Sequence, residues 1–262
     1  MNQQIVINNQ LISYWHNETA GNVCLLFLHG WRSQKEVWDS VVLRIKDKGL
    51  GIYTIDLPGF GGSPAPHGSW SVGDYAEVVK GFIEKLELKT VIIIGHSFGG
   101  RVAIKLASEY SGVASKLVLV DSAGFVMQSS RKEVMATAAK IVRPLFKPKF
   151  MQNIRRKIYK GIGAEDYLAT PELQKTFINI VNEDLDEDMK RIKIPTLIIW
   201  GENDKETPVE YGKRMGFLIP NAEFLILKNA GHFSFLDKPE EFAKALQEFI
   251  NTDQLRRYGR SP

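Results

Sequence analysis

The 262-residue sequence predicts an α/β fold, in which helices flank a mostly parallel central sheet. Short apolar runs rich in β-branched residues recur along the chain, and most of them lack the apolar–polar alternation of a sheet with one solvated face. Amphipathic stretches with helical spacing separate these runs, which is typical of parallel sheets. The predicted strands are residues 23–28, 52–55, 91–94, 117–120, 196–200 and 224–227, and the predicted helices are 35–48, 72–86, 99–110 and 240–250.

A hairpin is predicted before the first parallel strand. Residues 5–7 and 11–15 have strand-like patterns, and the turn-prone pair Asn8-Asn9 joins them. We expect this antiparallel hairpin at the edge of the sheet. The parallel strands that follow need right-handed crossovers, and ligands of such sheets bind outside the carboxyl ends of the strands.

The alternation of strand and helix breaks between about residues 125 and 192. Residues 131–160 hold ten basic residues against Glu133, whereas residues 165–188 hold eight acidic residues against Lys175. We predict a single domain over residues 1–262 with a mainly helical lid inserted at about 125–192. The two charged segments are expected to attract one another; the alternative is a basic rim that attracts anions or associates weakly with a membrane surface.

The composition excludes several classes of protein. Lys and Arg total 34 against 30 Asp and Glu, a net charge of +4, which does not by itself indicate nucleic-acid binding. Cys24 is the single cysteine, which excludes an intramolecular disulfide framework and is expected to be a buried thiol. The N-terminus has no basic leader, and no window approaches the ~18 apolar residues of a membrane span. We therefore expect a cytoplasmic protein.

The motif Gly95-His96-Ser97-Phe98-Gly99 follows a predicted strand and precedes a predicted helix. G-x-S-x-G in this setting forms a strained turn that holds the serine hydroxyl clear of the sheet. Ser97 is therefore the predicted nucleophile. The alternative is a glycine-rich turn that only packs.

A serine nucleophile needs a histidine base held by a carboxylate. His232 follows the last predicted strand, so it should emerge at the same edge of the sheet as Ser97. His67 lies in a loop that could border the cleft, whereas His96 should point away. The remaining histidines, His16 and His29, belong to the hairpin and to a glycine turn.

Three carboxylates follow the strand at 196–200. We prefer Asp204 as the orienting acid, because its side chain is short and it lies past the turn; Glu202 and Glu206 are interpreted as solvated loop charges. Asp121, after the preceding strand, is the geometric alternative. The chain order Ser97, Asp204, His232 is one of the known orders of this catalytic group.

Acyl transfer also needs N–H groups directed at the developing oxyanion. The backbone N–H groups of Phe98 and Trp31 are the predicted donors, and the Trp31 indole is expected to wall the acyl pocket. Phe233 and apolar residues of the lid are candidate substrate contacts, although the lid residues could equally form its own core. The lid candidates are Phe125, Met127, Met135, Leu145, Phe146, Phe150 and Met151.

These motifs together resemble the α/β-hydrolase family over nearly the whole chain. His29-Gly30-Trp31 looks like the family's oxyanion turn, and the segment 56–63 looks like its D-x-P-G-x-G-x-S loop. The combination is similar to small carboxylesterases, including pimeloyl ester hydrolases, and to carbon–carbon bond hydrolases. The latter typically have Asn-Ser-Met where this chain has His-Ser-Phe. The resemblance implies a structural role for Asp56, and a serine at position 97 argues against the aspartate-nucleophile branches.

The predicted activity is hydrolysis of carboxylic esters with small or medium acyl chains through an acyl-enzyme intermediate. The resemblance implies no cofactor or metal, and the sequence has neither a cluster with zinc spacing nor a G-x-G-x-x-G loop. The expected partner is a small-molecule ester. Alternatives are a carbon–carbon, lactone or amide hydrolase and, from another class, a non-catalytic small-ligand receptor.

Overall fold

The computed structural model describes residues 2–17, 22–45, 49–126 and 170–258, with side chains up to Asn251. Eight strands in these ranges form one sheet: β1 (Asn2–Ile7), β2 (Gln10–His16), β3 (Val23–Leu28), β4 (Gly51–Ile55), β5 (Thr90–His96), β6 (Lys116–Val120), β7 (Thr196–Gly201) and β8 (Ala222–Leu227). Their order is β1-β2-β4-β3-β5-β6-β7-β8. All neighbours from β4 to β8 are parallel. This confirms the predicted fold class.

The hairpin of β1 and β2 lies at the sheet edge, as predicted. The two strands pair with each other, and β2 pairs with β4, antiparallel in both cases. Asn8 and Asn9 have positive φ angles of 47° and 64°. Asparagine tolerates this left-handed conformation, which two-residue hairpin turns require at both central positions.

Helices lie on both faces of the sheet. Those of the described residues are α1 (Asp39–Ile45), α2 (Val72–Lys85), α3 (Phe98–Glu109), α4 (Gln174–Asn182), α5 (Asp186–Arg191), α6 (Val209–Leu218), α7 (Ser234–Asp237) and α8 (Pro239–Tyr258). The predicted helix at 35–48 begins as the 3₁₀ turn Lys35–Trp38, and its α-helical part starts only at Asp39.

The start of α2 is fixed by side chains. The Ser71 hydroxyl accepts the N–H of Asp74, and the Asp74 carboxylate accepts the N–H of Ser71 at 2.7 Å. This capping box satisfies backbone donors that have no partner within the helix.

The α6 helix is not predicted from the sequence, because it contains Gly212 and Gly216. Glycine is a weak helix former, so the pattern gave no helix signal. Gly212 is nevertheless required, because a Cβ there would lie 2.6 Å from Cε3 of Trp200. The glycine lets α6 approach the sheet closely.

The core forms two layers, one on each face of the sheet. Leu26 and Leu28 of β3 pack with α2 and α3 on one face, while Leu25 and Phe27 pack with α1 and α8 on the other. Because both faces are covered, consecutive residues of β3 are buried. This explains the absence of alternation in the sequence.

The predicted lid at about 125–192 falls largely outside the described residues, including the basic stretch 131–160. Its described parts are residues 125–126 and 170–192, which include α4 and α5. The buried Arg101 donates hydrogen bonds to the carbonyl of Phe125 at 2.8 Å and to that of Glu183 at 2.7 Å. Arg101 therefore ties residues on both sides of the undescribed stretch 127–169 to the core, while the lid itself stays a prediction.

None of the helices in the described residues has the length and apolar character needed to cross a membrane.

Candidate active site

Ser97 occupies a strained turn between β5 and α3, with φ 50° and ψ −111°. Glycines surround it because the backbone is crowded: a Cβ at position 95 would lie 2.5 Å from the carbonyl oxygen of Gly99, and one at position 99 would collide with the carbonyl of Leu28. Ser97 is partly exposed, although its neighbours on both sides are buried. Phe98 is the first residue of α3, so its N–H has no acceptor within the helix.

The turn His29-Gly30-Trp31 lies directly against Ser97. A Cβ at position 30 would be 3.3 Å from Cβ of Ser97 and 2.9 Å from Nδ1 of His96. Nε2 of the fully buried His29 accepts the N–H of Leu57 at 3.0 Å, so Nδ1 carries the proton and donates it to the carbonyl of Gly30 at 2.7 Å. In a trans peptide the Trp31 N–H points opposite to that carbonyl. His29 therefore fixes the direction of the predicted oxyanion donor.

Asp204 and His232 are brought together by the loops after β7 and β8. Oδ2 of Asp204 lies 2.9 Å from Nδ1 of His232 and also accepts the Thr207 hydroxyl at 2.7 Å. Burial alone would raise the pKa of Asp204, but its hydrogen bonds with His232 and Thr207 lower it below the usual value. Burial likewise would lower the pKa of His232, but the bond to Asp204 and nearby carboxylates raise it.

Asp121, the alternative acid, is engaged elsewhere. Its carboxylate accepts the N–H of Gly201 at 2.7 Å and both the N–H and the hydroxyl of Ser234, at 3.1 and 2.6 Å. Burial raises its pKa to about 7. Asp121 thus ties the end of β7 to the segment that follows His232, while Asp204 holds the imidazole.

The two glutamates near Asp204 are not simply solvated charges. The carboxylate of Glu202 accepts the N–H of Asn229 at 3.0 Å. Glu206 is exposed, but its Oε2 atom lies 3.4 Å from Nε2 of His232. This contact could not be predicted from the sequence, because it depends on how the turn after Asp204 folds back.

The remaining histidines are arranged differently. His96 is buried, its ring centroid lies 4.9 Å from that of His232, and its Nε2 donates to the backbone carbonyl of His232 at 2.8 Å. Burial lowers the pKa of His96 to about 3, so it is neutral at physiological pH. His67 is exposed, and His16 stacks on Tyr53 in the hairpin region.

Aromatic rings surround the Trp31 indole. Phe60, Phe98 and Phe177 lie 4.9 to 5.2 Å from it, measured between ring centroids. Phe177 lies on α4 and was not singled out from the sequence, where it is one apolar position of a helical pattern. These rings form an apolar surface beside the turn His29-Gly30-Trp31.

The candidate substrate contacts have different surroundings. Phe125 is buried, and its ring packs on Tyr211 and under the Arg214 guanidinium of α6. Phe233 is 38% exposed, and its ring centroid lies 5.5 Å from that of His232. The other candidates, Met127, Met135, Leu145, Phe146, Phe150 and Met151, lie outside the described residues.

Asp56 is fully buried near the turn His29-Gly30-Trp31, with Lys35 as its cation. It accepts the backbone N–H of Lys35 at 2.7 Å, the Lys35 ammonium at 2.9 Å and the N–H of Gly62 at 2.9 Å. Its bonds lie within the loop and to Lys35, which fits the structural role that the family resemblance implies.

The described ranges contain no group of three or more His, Cys, Asp and Glu side chains arranged to hold a metal ion.

Comparison with known proteins gives a consistent family. The sequence profile of the alpha/beta hydrolase family matches residues 25–245 of this chain. The chain is 30% identical over 262 residues to the monoacylglycerol lipase ABHD6 of Mus musculus, covering 88% of this chain and 78% of that protein. It is 27% identical over 259 residues to a 2-hydroxy-6-oxononadienedioate/2-hydroxy-6-oxononatrienedioate hydrolase of Pseudomonas, covering 90% and 91%.

A solved structure is also similar to this chain. An esterase from Exiguobacterium antarcticum superposes with a TM-score of 0.77 at 22% identity, covering 95% of this chain and 99% of that one. At this identity the likeness concerns the fold alone.

Proposed function

The chain belongs to the alpha/beta hydrolase family, and from that premise we propose that it is a serine hydrolase that cleaves carboxylic esters of small or medium acyl chains. The observation that carries the proposal is the pairing of His232 Nδ1 with Asp204 at 2.9 Å, at the sheet edge where Ser97 emerges. The monoacylglycerol lipase among the relatives supports it.

The proposed reaction runs in two steps through Ser97. Its hydroxyl attacks the ester carbonyl while Nε2 of His232 takes the proton, and Asp204 stabilises the imidazolium. The N–H groups of Trp31 and Phe98 bind the tetrahedral oxyanion. As the carbon–oxygen bond breaks, His232 returns the proton to the alcohol, which leaves an acyl-Ser97 ester.

The second step hydrolyses that ester. His232 takes a proton from water, and the resulting hydroxide attacks the acyl carbonyl. The second tetrahedral intermediate collapses with release of the acid, and the proton returns to Ser97. The rings of Trp31, Phe60 and Phe177 offer apolar surface for a short or medium acyl chain.

The relative from Pseudomonas favours a second candidate, hydrolysis of a carbon–carbon bond. This reaction would use the same nucleophile and base. A ring-cleavage product in place of an ester distinguishes the two, because only the carbon–carbon hydrolase releases an acid and an enol or ketone from it.

The first experiment measures kcat/KM for p-nitrophenyl esters from acetate to palmitate. We expect a maximum at a short or medium chain and a loss of about 10⁴-fold or more in Ser97→Ala. Ser40→Ala is the matched control, because the Ser40 hydroxyl on α1 has no hydrogen-bond partner among the described residues, and we expect it to keep wild-type activity.

Two results would contradict the proposal. Full activity in Ser97→Ala would remove Ser97 as the nucleophile. No serine-dependent turnover at any chain length, combined with turnover of a ring-cleavage product, would favour the carbon–carbon hydrolase; saturable ligand binding without turnover would favour a receptor.

A further inference from the structure

The His232 ring lies between two carboxylates. Oδ2 of Asp204 lies 2.9 Å from Nδ1 of the ring, and Oε2 of Glu206 lies 3.4 Å from Nε2 on the opposite side. Nε2 is the atom that, in the proposed mechanism, passes a proton to the departing alcohol. The Glu206 carboxylate therefore lies close to the position that the alcohol part of an ester takes during proton transfer.

The turn after Asp204 holds the backbone of Glu206 in this place. Oδ1 of Asp204 accepts the N–H of Glu206 at 2.8 Å and that of Thr207 at 3.0 Å. The Thr207 hydroxyl bonds to Asp204 and contacts the carbonyl of Asp121 at 3.1 Å. Glu206 is thus fixed at its backbone, while its side chain remains 69% exposed and can yield to a substrate.

Glu206 lacks a cationic side-chain partner in the described part of the chain. Among the described residues no Lys or Arg lies within 4.0 Å of it, and its ion-pair partner is His232. When His232 is neutral, a positive group on a ligand would therefore meet an unneutralised carboxylate.

Proton transfer places the substrate close to this carboxylate. The leaving oxygen must come within about 3 Å of Nε2 to be protonated. Atoms attached a few bonds beyond that oxygen then lie near Glu206. The exposed ring of Phe233, beside His232, adds a second surface that attracts cations through its face.

The geometry points to Glu206 as a specificity-determining residue that favours esters whose alcohol part carries a positive charge, such as an ammonium group. The inference rests on the proposed ester hydrolysis. A simple structural role of Glu206 would affect all esters alike, whereas charge recognition affects only the charged member of a matched pair.

The test compares butyrylcholine with 3,3-dimethylbutyl butyrate, which has the same shape without the charge. The measured quantity is the ratio of their kcat/KM values in the full-length wild type, Glu206→Gln and Glu84→Gln. Glu84 pairs with Lys80 near the end of α2, at the opposite edge of the sheet. Glu84→Gln therefore changes the net charge by the same amount as Glu206→Gln, but far from His232. We expect a ratio of about five or more in wild type and in Glu84→Gln, and a ratio near one in Glu206→Gln.

A wild-type ratio near one, or a ratio that Glu206→Gln leaves unchanged, would overturn the inference while ester hydrolysis stands. If neither ester is hydrolysed, a fluorophosphonate that labels Ser97 supplies the second readout, and the proposed function itself fails when the p-nitrophenyl series also shows no serine-dependent turnover. Tetramethylammonium should then slow labelling of the wild type but not of Glu206→Gln; equal slowing in both, no slowing, or no labelling overturns the inference.

Discussion

Asp56 follows β4 and Asp121 follows β6, so both carboxyl groups lie at the carboxyl edge of the sheet. Both are fully buried, and each accepts three hydrogen bonds. Burial alone would raise the pKa of Asp56, but bonds from Gly62 and Lys35 and the charge of Lys35 lower it. Asp121 has only neutral donors, and burial raises its pKa to about 7. A nearby cation, rather than position in the fold, decides the acidity.

The two carboxylates hold different parts of the candidate site. Asp56 orders the loop whose Leu57 N–H bonds to His29 and thereby fixes the turn His29-Gly30-Trp31. Asp121 connects the loops that carry Asp204 and His232. Groups that titrate near neutral pH are therefore expected on the Asp121 side, and the Asp56 side should stay ionised and constant.

The largest expected effect is on stability, from Asp56→Asn. This change leaves the ammonium of Lys35, whose side chain is 9% exposed, with the more exposed Glu36 carboxylate at 2.9 Å as its remaining partner, and we expect a loss at the lower end of about 3–5 kcal/mol in the free energy of unfolding. Urea denaturation measures it. Asp121→Asn strands no charge and should cost less, about 1–3 kcal/mol.

A double-mutant cycle with Lys35→Met is the control for this difference. Removing the cation together with Asp56 should restore part of the lost stability, since the Lys35 ammonium then no longer remains buried without the Asp56 carboxylate. Equal losses of stability for Asp56→Asn and Asp121→Asn, or no recovery in the double variant, would show that the Lys35 charge does not cause the difference between the two carboxylates.

A smaller effect is expected on the pH dependence of stability. The folded state keeps the Asp121 proton up to about pH 7, whereas the unfolded chain loses it near its ordinary pKa. The folded state thus binds more protons between these values, and the free energy of unfolding should fall as pH rises through this window. Asp121→Asn cannot titrate and should lose about 2 kcal/mol less than wild type between pH 5 and 7.5.

Urea midpoints at the two pH values measure this slope. His232, whose raised pKa also makes stability fall with rising pH, is present in both proteins. Because Asp121 contributes to that raised pKa, its removal also weakens the His232 contribution, which changes the slope in the same direction. Identical slopes in wild type and Asp121→Asn would show that Asp121 is ionised throughout, like Asp56.

The smallest expected effect is on the pH dependence of activity. Asp204, Glu206 and Asp121 raise the pKa of His232, and the neighbouring His96 is neutral. Removing one negative charge in Glu206→Gln should move the acid limb of kcat/KM for a neutral ester about half a pH unit lower. The limb is measured between pH 4 and 8 beside Glu84→Gln, which should not shift. An upward shift would mean that Glu206 does not act on His232 through its charge.

Much of the fold could be predicted because its strands are short, continuous apolar runs, as β3 illustrates. The α6 helix could not, because Gly212 serves packing against Trp200 at the expense of helix propensity. Sequence patterns reflect helix propensity, whereas the residue at position 212 is determined by a tertiary contact with Trp200.

Within the candidate site, the residues at strand ends were the predictable ones. Asp204 and His232 could be singled out because each follows a parallel strand, and the structure places their side chains in contact. Their catalytic roles remain proposals. The contact of Glu206 with Nε2 of His232 depends on a turn held by side-chain hydrogen bonds, and the approach of Phe177 to Trp31 depends on helix packing, so neither follows from local pattern.

At position 97, backbone stability favours glycine, whereas the proposed chemistry requires the serine hydroxyl. A residue with a side chain pays about 1–3 kcal/mol to hold a φ of 50° with a ψ of −111°, whereas glycine adopts such angles freely. Directed evolution for heat resistance alone would thus reward the loss of the one hydroxyl on which the proposed chemistry depends. Thermostable variants of this protein should be selected by turnover after heating rather than by the folded fraction.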